Sequence, residues 1–121
     1  MARILVIDDN DTFRNMLCEM LKSEGHETIS AHNGKRGIEL YRSDPADLII
    51  TDINMPEKSG PELIFELKRD FPEIKIIAIS GGSDNSEAYL KDIASFTDVM
   101  RVFTKPLDMD EMLEAVKEAV E

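Results

Sequence analysis

With a single cysteine, Cys18, the chain can form no internal disulfide, so no covalent crosslink supports its fold and a reducing compartment suits it. No apolar run is long enough to cross a bilayer, and the N-terminus lacks the apolar core of a secretory signal. Met1 reads as a natural start, and the expected location is cytoplasmic, without membrane insertion. Basic residues are scarce, 14 against 25 acidic ones, and the net charge of −11 argues against general affinity for DNA, RNA or an anionic membrane. That balance leaves room for metal cations and for partners with basic surfaces. No Pro-, Gly- or Ser-rich linker divides the 121 residues, and the apolar fraction of 42% supports a real core. One domain over residues 1–121, with no separate output domain, is the expectation.

What is present alternates regularly. Arg3–Ile7 is a continuous apolar run of strand length that stops at Asp8-Asp9-Asn10-Asp11. Phe13, Met16, Leu17, Met20 and Leu21 then recur on one helical face; Asp11 or Thr12 is expected to cap that helix and Gly25 to end it. Glu27–Ala31 is a weaker strand, suited to a sheet edge. Asn33-Gly34 opens a second helix, with Ile38 and Tyr41 inward. Leu48–Asp52 lacks polar alternation, the pattern of a central parallel strand covered on both faces. Pro61 falls in the first turn of a third helix whose apolar face is Leu63, Ile64, Leu67 and Phe71. A fourth strand is expected over 74–80, a helix of mixed polarity over 86–96 and a fifth strand over Arg101–Thr104. Asp108 and Glu111 have capping-box spacing before a last helix lined by Met109, Met112, Leu113, Val116 and Val120. Strand and helix repeated five times imply an α/β fold, a parallel sheet with helices on both faces.

In such a fold the carboxyl ends of the strands share one rim, where ligands bind. Asp8 and Asp9 follow the first strand, Asp52 ends the third, Ser80 the fourth and Lys105 the fifth. Singly, each has an ordinary explanation: a helix cap, a turn hydroxyl, a surface charge. At successive strand ends they form a constellation. Neighbouring carboxylates repel, and a hard divalent cation such as Mg²⁺ relieves that repulsion with oxygen ligands. Lysine and hydroxyl add positive charge and a donor, which suits a phosphoryl group. A carboxylate can itself be the nucleophile, giving an aspartyl-phosphate, and Asp52 on the central strand is the best placed. His26 and His32 lack partnered spacing and read as surface residues. Cys18 reads as a small helix residue without chemistry, and the methionines as core filling.

These residues resemble the response-regulator receiver domain of two-component signalling over essentially the whole chain. The motifs are Asp8-Asp9, Asp52-x-x-Met55-Pro56-x-x-x-Gly60, Ser80 and Lys105-Pro106, in that order. The resemblance implies a flavodoxin-like doubly wound fold with sheet order 2-1-3-4-5 and five helices. It implies that Asp52 accepts a phosphoryl group from a histidine kinase or histidine phosphotransfer protein. Mg²⁺ would be held by the Asp9 and Asp52 side chains and the Asn54 backbone carbonyl, with Asp8 acting through water. Lys105 would contact the phosphoryl oxygens, and Ser80 would move toward them, re-ordering the loop that follows. The switched surface, formed by the fourth helix, fifth strand and fifth helix, would control a downstream output protein. The module is then not an enzyme turning over an external substrate, and it would be a monomer or a phosphorylation-dependent dimer.

The chain departs from the family pattern in three places. Val102 stands where the family usually carries an aromatic, and Phe103 beside it faces the other way along a strand. Gly81 and Gly82 follow Ser80, and Thr97-Asp98-Val99-Met100 replaces the usual Gly-Ala before the fifth strand. Two other readings fit less well. A haloacid-dehalogenase-type phosphatase would want a second Asp where Asn54 stands, and a flavin carrier's phosphate would be repelled by Asp8-Asp9-Asn10-Asp11.

Overall fold

The computed structural model describes residues 2–53, 60–80 and 99–121. Five strands, β1 (Arg3–Ile7), β2 (Glu27–Ala31), β3 (Leu48–Asp52), β4 (Ile76–Ser80) and β5 (Arg101–Thr104), form one sheet in the order β2-β1-β3-β4-β5. Every pairing is parallel. Among the described residues there are four helices: α1 (Asp11–Ser23), α2 (Gly34–Ser43), α3 (Gly60–Asp70) and α4 (Met109–Val120). The helix expected over 86–96 and the Met55-Pro56 turn lie outside the described residues. No described helix is long and apolar enough to cross a membrane.

The sheet separates two cores, and strand alternation decides which residues enter each. Ile4, Val6, Leu48, Ile50, Ile77, Ile79 and Phe103 pack against α1 and α4. Leu5, Ile7, Ile49, Ile76 and Ala78 pack against α2 and α3, with half-buried Val102 on the same side. Val102 and Phe103 thus face opposite layers, as the alternation predicts. β3 and β4 are buried along their whole length, which is why their sequences carry no polar alternation. β2, paired only with β1, is the mixed-polarity edge the sequence suggests.

Local details correct the sequence expectations in four places. The cap of α1 is Asn10, not Asp11 or Thr12: its side chain accepts a hydrogen bond from the Phe13 amide at 2.9 Å, while Asp11 is already the first helical residue. The buried stripe of α1 is Leu17, Cys18 and Leu21, so Met16, one residue back and about 100° round the helix, is turned outward. β4 begins at Ile76, because the Ile74 amide closes a turn onto the Phe71 carbonyl at 3.0 Å. On α4, Ala115 and Ala119 are buried beside Met112 and Val116. Three other sequence signals on the described residues hold. Gly25 ends α1 with φ 90°, Asn33 caps α2, and the Asp108 carboxylate accepts from the Glu111 amide at 3.1 Å.

Two contacts give testable consequences. A Cβ on Gly37 of α2 would sit 2.9 Å from Ile7 Cγ1 and closer still to Ile7 Cδ1, so α2 packs directly on the Ile7 side chain of β1 with no room for a methyl between them. Gly37→Ala gains about 1 kcal/mol of helix propensity but overpacks the core by roughly 1–3 kcal/mol. Urea unfolding should therefore show a net loss of about 1 kcal/mol, shrinking in the Ile7→Val background, where the nearest methyl is gone. Burial pushes the Cys18 thiol above its ordinary value, opposed only in part by a hydrogen bond with Thr28 and the charges of Lys22 and Arg14. A disulfide reagent at mildly alkaline pH should label Cys18 at least about tenfold faster in urea than in the native protein.

Candidate functional site

The chain leaves β1 toward β2 on one side of the sheet and returns to β3 on the other. The crevice of a doubly wound sheet opens where the strand order reverses in this way, beyond the carboxyl ends of β1 and β3. Ile7 pairs with Thr51 in the parallel register, so the next residues, Asp8 and Asp52, emerge side by side. By alternation Asp8 continues the row of Ile4 and Val6, and Asp52 that of Leu48 and Ile50, so both carboxylates lie on the α1/α4 side.

The backbone holds these positions firmly. The Asp8 amide donates to the Ala31 carbonyl at 3.1 Å, the Ile53 amide to Ile79 at 2.9 Å and the Lys105 amide to Ser80 at 3.0 Å. The Asn10 amide donates to Asp8 Oδ1 at 2.8 Å, turning the chain into α1. Arg14, one turn into the helix, donates to the Asp8 carbonyl at 2.8 Å and pairs with Asp11 at 2.6 Å. The loop of Asp8-Asp9-Asn10 is thus pinned at both ends.

Asp8 and Asp52 have side chains only 1% and 4% exposed, and Lys105 answers both: its Nζ lies 3.0 Å from Asp8 Oδ2 and 3.1 Å from Asp52 Oδ2. Carboxylate oxygens of Asp8, Asp9 and Asp52 all lie within 4.8 Å of one another, with Asp9 on the solvent side. One ammonium against three carboxylates leaves the group electronegative. Burial by itself lowers the Lys105 ammonium, but hydrogen bonds to Asp8 and Asp52, with their charges, outweigh it and hold the group above the ordinary lysine range. The face of the Phe13 ring completes the surroundings, its centroid 4.2 Å from Lys105 Nζ. The Lys105–Pro106 bond is cis.

Of the residues singled out in the sequence, Asp8, Asp9, Asp52 and Lys105 come together. Ser80 ends β4 fully buried, in the row of Ile76 and Ala78, joined to Lys105 through the backbone. Asn54 lies outside the described residues. Phe13 and Arg14 were not legible as site residues. Phe13 fitted the apolar face of α1, and only its place one turn beyond the acidic pair could have drawn notice. A cavity of about 440 Å³, lined in part by Tyr41, Asp47, Glu73 and Lys75, lies at the opposite end of the sheet, away from the carboxylates.

Removing one partner from a buried ion pair costs about 3–5 kcal/mol; here the ammonium is 23% exposed and water can replace part of it. Lys105→Met should therefore lose roughly 2–3 kcal/mol by urea unfolding in a chelating buffer. Adding Asp8→Asn to that variant should recover part of the loss, a non-additivity that a double-mutant cycle reads directly.

Comparison with known proteins places this geometry in a lineage. The sequence profile described as "Response regulator receiver domain" matches residues 4–117. Transcriptional regulatory protein GlrR of Escherichia coli (strain K12) is 28% identical over 120 residues, covering 99% of this chain but 26% of that protein. The chain thus spans about a quarter of that relative's length. Sporulation initiation phosphotransferase F of Bacillus subtilis (strain 168) is 29% identical over 116 residues, 95% of this chain and 90% of its own length. Response regulator protein TrrA of Thermotoga maritima, solved in complex with Mg²⁺-BeF, superposes with a TM-score of 0.86 at 34% identity, over 98% of this chain and 99% of that one. Sheet order, strand-end carboxylates and a profile match over nearly all residues agree: the chain belongs to the response regulator receiver domain family of two-component signalling.

Proposed function

We propose that Asp52 is the phosphoacceptor, taking a phosphoryl group from a phosphohistidine of a histidine kinase or histidine phosphotransfer protein. The observation that carries this reading is the pair of buried carboxylates at the reversal of strand order, bridged by one lysine. An Asp52 oxygen forms the new bond to phosphorus while the bond from the donor imidazole nitrogen breaks, its electron pair returning to the ring. Lys105, already 3.1 Å from Asp52 Oδ2, then faces the transferred oxygens and neutralises part of their charge. Ser80 moves toward the same oxygens and carries the following loop with it.

The donor set fits Mg²⁺: all oxygen, strongly acidic and clustered, with Asp9 open to solvent for a partly hydrated ion. Asp9 and Asp52, with the Asn54 carbonyl, would hold it, and Asp8 would reach it through water. When bound, the ion supplies charge neutralisation for phosphoryl transfer. That the relative TrrA was solved with Mg²⁺-BeF supports the same assignment.

The module is a signalling switch rather than an enzyme acting on an external substrate. Phosphorylation of Asp52 is a local charge event that biases the surface formed by the predicted helix over 86–96, β5 and α4 toward a downstream output protein. With Val102 in the place of the usual aromatic, the step through an aromatic rotamer is not carried by this residue. The acidic surface suits a cytoplasmic partner with basic residues and disfavours direct nucleic-acid contact. The module works as a monomer or as a dimer formed on phosphorylation.

The test is intact mass after incubation with acetyl phosphate and Mg²⁺. A single phosphoryl adduct is expected in the wild type, absent from Asp52→Asn and absent with a chelator. An undiminished adduct in Asp52→Asn, or none from either acetyl phosphate or a phosphorylated histidine phosphotransfer protein, would sink the reading.

A further inference from the structure

We propose that Phe13 is a positioning residue for Lys105, holding its ammonium at the carboxylate rim through the face of its ring. The proposal rests on the phosphoacceptor reading of Asp52 for its functional consequence, but its geometry stands independently. Lys105 Nζ lies 4.2 Å from the Phe13 centroid and within 3.1 Å of both carboxylates, so the cation is held by two anions and one π-face. A lysine on a four-carbon stem is otherwise a mobile charge. In this chain Lys105 follows a short edge strand and is 23% exposed, so the carboxylates alone leave it a path to solvent.

Phe13 is well fixed for the task. Its amide is held by the Asn10 cap at 2.9 Å, and its neighbour Arg14 grips the Asp8 carbonyl at 2.8 Å. The first turn of α1 therefore sets both the loop that carries Asp8 and the ring that faces Lys105. The ring also packs against the α1/α4 core, which an aliphatic residue could do equally well. What an aliphatic residue cannot supply is the negative face of an aromatic quadrupole. When a phosphoryl group arrives at Asp52, the ammonium exchanges carboxylate for phosphoryl oxygens while the ring continues to hold it from the other side.

The experiment compares wild type with Phe13→Leu, Phe13→Tyr and protein carrying pentafluorophenylalanine at position 13, which keeps the ring's shape and reverses its quadrupole. Two readouts are taken. One is the NMR shift of the Lys105 ε-methylene protons in metal-free, unphosphorylated protein. The other is the rate of phosphoryl incorporation from acetyl phosphate at saturating Mg²⁺. The wild-type ε-protons should be shielded by the ring. Phe13→Tyr should keep the shielding and the rate, whereas Phe13→Leu and the fluorinated ring should lose the shielding and slow incorporation by roughly three- to tenfold. Unshielded ε-protons in the wild type, or a fluorinated protein that phosphorylates at the wild-type rate, would overturn the proposal; both remain decisive if Phe13→Leu fails to fold. Should no protein, wild type included, gain a phosphoryl group from acetyl phosphate or from a phosphorylated histidine phosphotransfer protein, the phosphoacceptor reading fails, and the dependence of the Lys105 shift on ring electronics alone decides the positioning role.

Discussion

The ammonium of Lys105 between Asp8 and Asp52 is the interaction on which the rest of the site depends. Taking a carboxylate out of water costs several kcal/mol even after relaxation, and two sit side by side here, almost wholly buried. A fully buried leucine or isoleucine returns about 1.5–3 kcal/mol, so a few core residues are spent on keeping this charge inside the fold. The fold tolerates that because the counter-charge arrives on a third strand and because the backbone at each strand end is bonded into the sheet. Electrostatics and topology are inseparable: only the parallel order puts residues 8, 52 and 105 at one rim.

The first turn of α1 is a second organising element. Asn10 caps it, Arg14 ties it back to Asp8, and Phe13 reaches across to Lys105. A short stretch that reads as an ordinary helix start thus ties together two loops distant in sequence. The acidic residues ahead of it also suit the positive end of the helix dipole, which favours carboxylates in the first turn.

Much of the fold was legible because the signals were strong and local. Leu48–Asp52 lacks polar alternation, and the structure buries all five of its residues. Gly25 and Asn33 mark helix ends through backbone geometry and side-chain capping that the residue types dictate. The misses have equally physical causes. Asn10, Asp11 and Thr12 can all cap a helix, and the choice fell to Asn10 because its own amide is already turned onto Asp8. Met16 gave way to Cys18 because the helix's rotation is set by what it packs against, which periodicity fixes only to within about one residue. Ala115 and Ala119 are small enough to read as neutral, yet small residues allow a helix to lie close to a sheet. The carboxylates and lysine could be placed at one rim from strand ends alone. The Phe13 contact could not, since nothing local in the sequence says which helix face will meet residue 105.

The two cores on either side of the sheet stand in different relations to this chemistry. Asp8, Asp52 and Lys105 continue the rows of side chains that pack against α1 and α4, and Phe13 comes from the same layer. The layer beneath, of Leu5, Ile49 and Ile76 against α2 and α3, lies across the pleated backbone from the two buried carboxylates. Mutational drift in that lower layer can exchange one aliphatic shape for another while the strand ends stay in register. A substitution in the upper layer changes the lining of the charged pocket itself, so the same aliphatic exchange has different consequences in the two halves of one small hydrophobic interior.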